Sequence, residues 1–254
     1  MQQVKERILQ DNANWLRAHD PDELYARWPH CRRVAQILRF TQDIRGKVLE
    51  IGCFHGFVAE KILQQGGKEV IGIDRLEPAL RQATARGLQT MLADVDDAPL
   101  AFPANYFDGV VMAEVLDYVF DPDAVVAEVH RVLKPGGKLI VTVPNLASLG
   151  NRVRLLCGYP PFAFAARPRL GGYWRYFTIR TVTELLHDQG LHILVLQANV
   201  VTLPWYAFPG IRVFFPGDQW ERYHMCSSAF LARLFPGLGE NIVILAEKRA
   251  EVRA

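Results

Sequence analysis

Few features of this chain point to metal, disulfide or membrane chemistry, and each shortage narrows the choice of fold. Four cysteines (Cys31, Cys53, Cys157, Cys226) are scattered without a CxxC pair. That spacing excludes a disulfide scaffold and a zinc finger and predicts reduced thiols in a cytoplasmic protein. The seven histidines include no HExxH pair, so no metal is expected. No run approaches the roughly 18 apolar residues of a membrane-spanning helix. The opening Met-Gln-Gln-Val-Lys-Glu-Arg lacks the apolar core of a secretion signal. Charge is nearly balanced, with 29 Lys and Arg against 27 Asp and Glu, so the totals give no reason to invoke nucleic acid. Internal repeats and low-complexity tracts are absent as well.

What is present is an α/β pattern in 254 residues, half of them hydrophobic, which is enough for a sizeable core. Residues 1–45 show helical periodicity (Val4, Ile8, Leu9, Leu16; then Val34, Ile37, Leu38) and predict a helical N-terminal preface. Its aromatics Trp15, Tyr25 and Trp28 either dock those helices or form a lid. From residue 46, strands are expected at 47–52, 69–73, 89–93, 107–113 and 137–143. Helices are expected near 57–65, 77–86 and 122–133. That alternation implies a parallel sheet covered by helices on both faces. Leu133-Lys-Pro-Gly-Gly-Lys138 is a stop signal between helix and strand. Thr178 is a plausible cap for a helix near 179–189, with strands to follow near 191–198 and 241–247. Two insertions, 145–177 and 199–236, are rich in Pro, Gly, Arg and aromatics, and both follow strands that end on the ligand side.

The centre of the pattern is Lys47-Val-Leu-Glu-Ile-Gly-Cys-Phe-His-Gly-Phe57, a strand, a tight turn and a helix start. Gly52 and Gly56 allow a ligand to lie against the turn and the free N–H groups of the helix. Glu50 can order that turn or reach an ammonium. Asp74, ending the second strand, can accept both hydroxyls of a ribose or cap the next helix. Asp94 follows the third strand and can accept from an adenine amino group. The fourth strand leads into Glu114-Val-Leu-Asp-Tyr118 at the mouth of the site.

Taken in order, Glu50-Ile-Gly-Cys-Phe-His-Gly56, Asp74, Asp94, Phe107-Asp-Gly-Val-Val-Met-Ala-Glu-Val-Leu-Asp-Tyr118 and Arg131-Val-Leu-Lys-Pro-Gly-Gly137 resemble a class I S-adenosylmethionine-dependent methyltransferase. The ordered set spans about residues 46–145. It continues more loosely through Val143-Pro-Asn145 and Arg175-Tyr-Phe-Thr178. The resemblance implies a Rossmann-like, seven-stranded, mostly parallel sheet with an antiparallel last strand, formed by residues 46–254. It also implies S-adenosyl-L-methionine as cofactor, held by the loop (Glu50, Gly52, Cys53, Phe54, Gly56), by Asp74 and Arg75, by Asp94 and Val95, and by Glu114 and Val115. Two positions depart from the family pattern: Phe54 replaces the middle glycine and Tyr118 replaces a histidine. Phe54 is expected to point away from the ligand or to cover it.

Methyl transfer is an in-line displacement from an activated donor, so the protein mainly aligns the acceptor and excludes water. For a hydroxyl acceptor, candidate bases are His55, Asp117 and Tyr118 near the cofactor and Tyr173 from the insertion, and Tyr173, Arg175 and Tyr176 are candidates for the acceptor side. Between Asn145 and Thr183 there is no Asp or Glu, yet there are six arginines (152, 154, 167, 169, 175, 180). That excess suits an anionic acceptor or membrane surface, or else pairs with the acids of 94–97 and 114–123. The acceptor is expected to be a small-molecule or lipid-linked intermediate, with peripheral membrane contact rather than a spanning segment. Nucleic acid is disfavoured, since no stripe of basic residues with stacking aromatics occurs. Two alternatives are an NAD(P)-dependent oxidoreductase, against which Gly52-x-x-x-Gly56 is not GxGxxG, and a non-catalytic methyltransferase-like module.

Overall fold

A computed structural model describes residues 2–18, 20–26, 30–97, 99–161, 175–202 and 229–249. Tyr173, Trp28, Cys226 and most of both insertions lie outside them. Three helices, α1 (Gln2–Ala18), α2 (Pro21–Ala26) and α3 (His30–Thr41), precede the sheet. Then follow β1 (Gly46–Ile51), α4 (Phe57–Gln64), β2 (Lys68–Asp74), α5 (Glu77–Ala85), β3 (Gln89–Leu92), β4 (Phe107–Ala113), α6 (Pro122–Val132), β5 (Leu133–Pro144), α7 (Leu149–Leu156), α8 (Ile179–Asp188), β6 (Leu191–Ala198) and β7 (Asn241–Lys248).

The sheet runs β3-β2-β1-β4-β5-β7-β6. β1 to β5 pair in parallel, and β7 runs antiparallel to both of its neighbours. The central strands are near-continuous apolar runs, as strands covered on both faces must be, and Val110, Val111 and Met112 are fully buried. One core lies under α6 and α8 and includes Leu49, Ile73, Met112, Val126, Val129 and Leu186. The other lies under α3 and α4 and joins Val34, Ile37 and Ile62 to Val48, Val111 and Ile140. Burying Ile37 or Val34 contributes roughly 1.5–3 kcal/mol each, so α3 is a full member of the sandwich. Its outer end is latched as well: Arg32 Nε donates to the Asn199 carbonyl at 2.7 Å.

The stop signal at 133–138 behaves differently from the simple break expected. Leu133 already pairs with Phe107, and pairing resumes at Gly109 with Lys138, so Lys134 to Gly137 loop out of a ladder begun before them. Gly136, at φ +80°, supplies the left-handed conformation that this excursion needs. The cap at Thr178 forms as read, with its hydroxyl accepting from the Thr181 N–H in a reciprocal capping box.

Candidate functional site

β1 ends in a turn held by backbone bonds: the Gly52 and Cys53 N–H groups both donate to the Ile73 carbonyl, at 2.8 and 3.0 Å. Gly52 (φ +71°), Phe54 (φ +50°) and Gly56 (φ +84°) all adopt left-handed angles. A Cβ on Gly52 would lie 2.6 Å from Val115 Cγ2, and one on Gly56 would lie 2.5 Å from Leu88 Cδ1 and 2.8 Å from Ala83 Cβ. Gly56 therefore serves the close approach of α4 to α5. Phe54 holds a conformation that costs a non-glycine residue roughly 1–2 kcal/mol. Two contacts offset it. Its N–H donates to Asp74 Oδ2 at 2.8 Å, and its ring packs with Leu9, Ala13, Leu16 and Leu76 beneath α1.

Asp74 accepts on its other oxygen from the Leu76 N–H at 2.8 Å. It therefore organises both turns that flank β2, and burial holds its carboxyl above the ordinary range despite those two amides. Asp94 accepts from the Asp96 N–H at 3.1 Å, and Asp96 in turn accepts from the Phe120 N–H at 2.8 Å. The β3 and β4 ends of the site are thereby tied together.

At the end of β4 a different construction appears. Glu114 is left-handed (φ +58°), forms an ion pair with Arg33 of α3, and accepts from Asn241 Nδ2 of β7 at 2.6 Å. Arg33 is 4% exposed. Asp117, in the 3-10 turn Leu116–Tyr118, is buried, and neither carboxyl oxygen has a hydrogen-bond partner. Burial, reinforced by Glu114, pushes its carboxyl well above the ordinary range. From α2, Tyr25 stacks on Phe57 with ring centres 5.0 Å apart, and burial pushes its phenol up to about 12.

These elements enclose a cavity of about 320 Å³ at the carboxyl ends of β1 to β4. Among the expected site residues, Gly52, Phe54, Asp74, Arg75, Asp94, Val95, Glu114, Val115 and Tyr118 line it. Others stand off this wall. Glu50 is buried and its carboxyl is pushed up to about 8 by burial, with the Ala59 N–H of α4 facing it. Cys53 is buried against β2, its Sγ 2.7 Å from where a Cβ on Gly72 would stand. Burial pushes its thiol up. His55 is completely buried, donating to or accepting from Asp22 through Nε2 at 3.0 Å, with its ring between those of Phe54 and Phe57. It secures α2 and is not on the cavity wall. Asp117 is likewise not on the wall, and neither are Arg175 and Tyr176. The Arg175 guanidinium donates to the Phe120 carbonyl and its N–H to the Asp117 carbonyl, so it holds the 3-10 turn.

Four polar cavity residues escaped the sequence reading: Asn12, Tyr25, Arg33 and Asp96. Tyr25 had a signal in the aromatic character of the preface. Arg33 had none, because its counter-ion lies 81 residues away. Of the arginines between 145 and 183, Arg152 donates to the Ala147 carbonyl, Arg154 to the Pro160 carbonyl and Arg180 to Glu184.

Residues 49–141 match the family described as Methyltransferase domain. Over that stretch the chain is similar to a methyltransferase domain, and its fold is that of class I methyltransferase structures. It is 34% identical over 111 residues to a ubiquinone biosynthesis O-methyltransferase of Neisseria meningitidis, which covers 41% of this chain and 46% of that protein. The chain spans about half the length of the curated relatives it matches. An S-adenosylmethionine-dependent methyltransferase structure from Thermotoga maritima superposes with a TM-score of 0.63 at 19% identity, over 98% of this chain and 100% of that one. The [4+2]-cyclase SpnF superposes with a TM-score of 0.56 at 20% identity, over 86% and 82%. At such identities the likeness is one of fold. The match to the sheet and its methyltransferase neighbours nevertheless bears out the Rossmann-like, seven-stranded expectation, including the antiparallel strand. No helix among the described residues is long and apolar enough to cross a membrane.

Proposed function

We propose that this chain transfers a methyl group from S-adenosyl-L-methionine to a small-molecule or lipid-linked biosynthetic acceptor in the cytoplasm. The observation that carries the reading is the cavity at the carboxyl ends of β1 to β4, lined at successive strand ends by Gly52, Asp74, Asp94 and Glu114. The donor set fits the cofactor. Each Asp74 oxygen accepts one backbone N–H and retains acceptor capacity for a diol. Asp94 and Val95 suit an adenine edge. Glu114 with Arg33 presents one anion and one cation, the complement of an α-amino acid group.

When bound, the cofactor supplies an activated methyl group on a sulfonium. The work left to the chain is to bind, orient and exclude water. The preface contributes through Asn12, Tyr25 and Arg33, which wall the cavity from outside the βα core. Of the three candidate bases near the cofactor only Tyr118 lines the cavity, so it is the group we assign to orient the acceptor. Arg175 acts through it by fixing the 116–120 turn, with Tyr176 beside it and Tyr173 as a further acceptor-side candidate. Phe54 keeps the left-handed turn that its neighbouring glycines share, which supports cofactor binding over a cofactor-free module. The family match weighs against the oxidoreductase alternative.

Calorimetry with S-adenosylhomocysteine tests the reading. One-to-one binding is expected, weakened at least about tenfold in Asp74→Ala, as loss of charge-assisted bonds predicts. Absence of heat at millimolar product, or binding of NADH in its place, overturns it. Release of labelled methyl to an acceptor separates transfer from a cyclase-like use of the same fold.

A further inference from the structure

We infer that the outward faces of α7 and residues 229–235 form a docking surface for an anionic lipid bilayer. α7 turns Gly150 and Asn151 inward, and its Leu149 packs with Leu231 against Ala198, Val201 and Ala232. Both segments therefore share one small core. Away from that core, α7 carries Arg152, Leu155 and Leu156 at helical spacings of three and four, and Tyr159 follows just past its end. Leu155 is 57% exposed, Leu156 87% and Tyr159 64%. Across the shared core, Phe230, Leu234 and Phe235 are 64%, 55% and 55% exposed. A helix packed on a soluble core ordinarily turns its polar stripe to water. Here both stripes carry large apolar groups outward, and each is flanked by exposed arginine, Arg152 on one and Arg233 on the other.

Charge selects the occupant. Residues 149–161 and 229–235 hold Arg152, Arg154 and Arg233 and no carboxylate, so the face meets an anionic surface with positive charge that it does not itself compensate. Protruding leucines with arginine and aromatic rings beside them match the boundary between lipid headgroups and acyl chains. Arg154 lies over the Tyr159 ring at 6.0 Å, a cation and an amphipathic ring at one level. α7 begins five residues beyond Pro144, on the carboxyl edge of the sheet that also opens the cavity. A bilayer there would stand beside the site. This deepens the methyl-transfer reading by saying where a lipid-linked acceptor is met, though vesicle binding itself does not depend on transfer.

Flotation of the full chain with vesicles tests it. Mixed phosphatidylcholine and phosphatidylglycerol vesicles should carry the protein, with binding that falls as salt rises, and pure phosphatidylcholine should carry far less. Leu155→Asp with Leu156→Asp should lower partitioning at least about tenfold, and Arg152→Gln about fivefold. S-adenosylhomocysteine binding, read in parallel, should be unchanged in both, which separates failure here from failure of the enzymatic reading. Should the double variant misfold, Leu156→Asn alone carries the test. No flotation of the parent, equal flotation with neutral vesicles, or equal binding by the leucine variant overturns the proposal. So does light scattering that shows self-association abolished by the same substitutions, because the face would then be a protein contact.

Discussion

The two ends of the cavity are built on opposite plans. At the β1–β2 end, Asp74 is held by two backbone amides, one from the turn 20 residues before it and one from its own turn. At the β4 end, Glu114 depends on side chains, Arg33 from before the sheet and Asn241 from its last strand, while the Asp117 carboxyl below it has no hydrogen-bond partner. Each end holds one non-glycine residue in the left-handed region, Phe54 and Glu114. The comparison teaches that a recurrent cofactor wall can be assembled from local backbone at one side and from distant ionic contacts at the other. The second side is the one that leaves room for specialisation.

The largest effect should come from breaking the distant pair. Arg33→Ala strands a carboxylate beside Asp117 and should lower unfolding free energy by about 3 to 5 kcal/mol in urea titrations. Arg33→Met with Glu114→Gln should recover most of that loss. Asp74→Ala, the matching cut at the local end, leaves the Phe54 and Leu76 amides without their acceptor and should cost about 2 kcal/mol. If the two single losses prove equal, the contrast between the ends fails.

A smaller effect is expected in pH dependence. Buried Glu50 titrates at about 8 in the folded chain, above its ordinary value of 4.5, so the folded state holds the proton more tightly than the unfolded one. Its contribution to stability is therefore full in acid and is lost as pH rises toward about 8. Asp117 adds in the same direction. Glu50→Gln should flatten the decline in melting temperature between those limits. Smallest of all, Phe54→Gly relieves left-handed strain but gives up packing under α1, for a net change of about 1 kcal/mol. Its clearer mark should be faster proteolysis within 2–18.

This contrast also explains what was legible in the residues alone. The βα alternation, Gly52, Asp74 and Asp94 are local: strand period, turn chemistry and the acid at a strand end lie within one short window. The Phe54 substitution was visible, but its outcome depended on Leu9 and Leu16 of α1, beyond any window around the loop. His55 and Asp117 looked like bases because they flank the right strands. Burial places them behind the wall, and no neighbouring residue announces that. Arg33 shows no local signal, since its meaning lies in Glu114. The helix stops before 133–138 as read, but the early start of β5 at Leu133 depends on its pairing with Phe107 and carries no local mark.

The position of β7 has a consequence for synthesis. Emerging from the ribosome after β6, it must insert between β5 and β6, and only then can Asn241 reach Glu114. Until that strand arrives, the growing chain presents β5 as an open edge while its β4 wall lacks one restraint. Completion of the β4 wall thus waits on the emergence of β7, and cofactor capture by stalled nascent chains would report when that moment is reached.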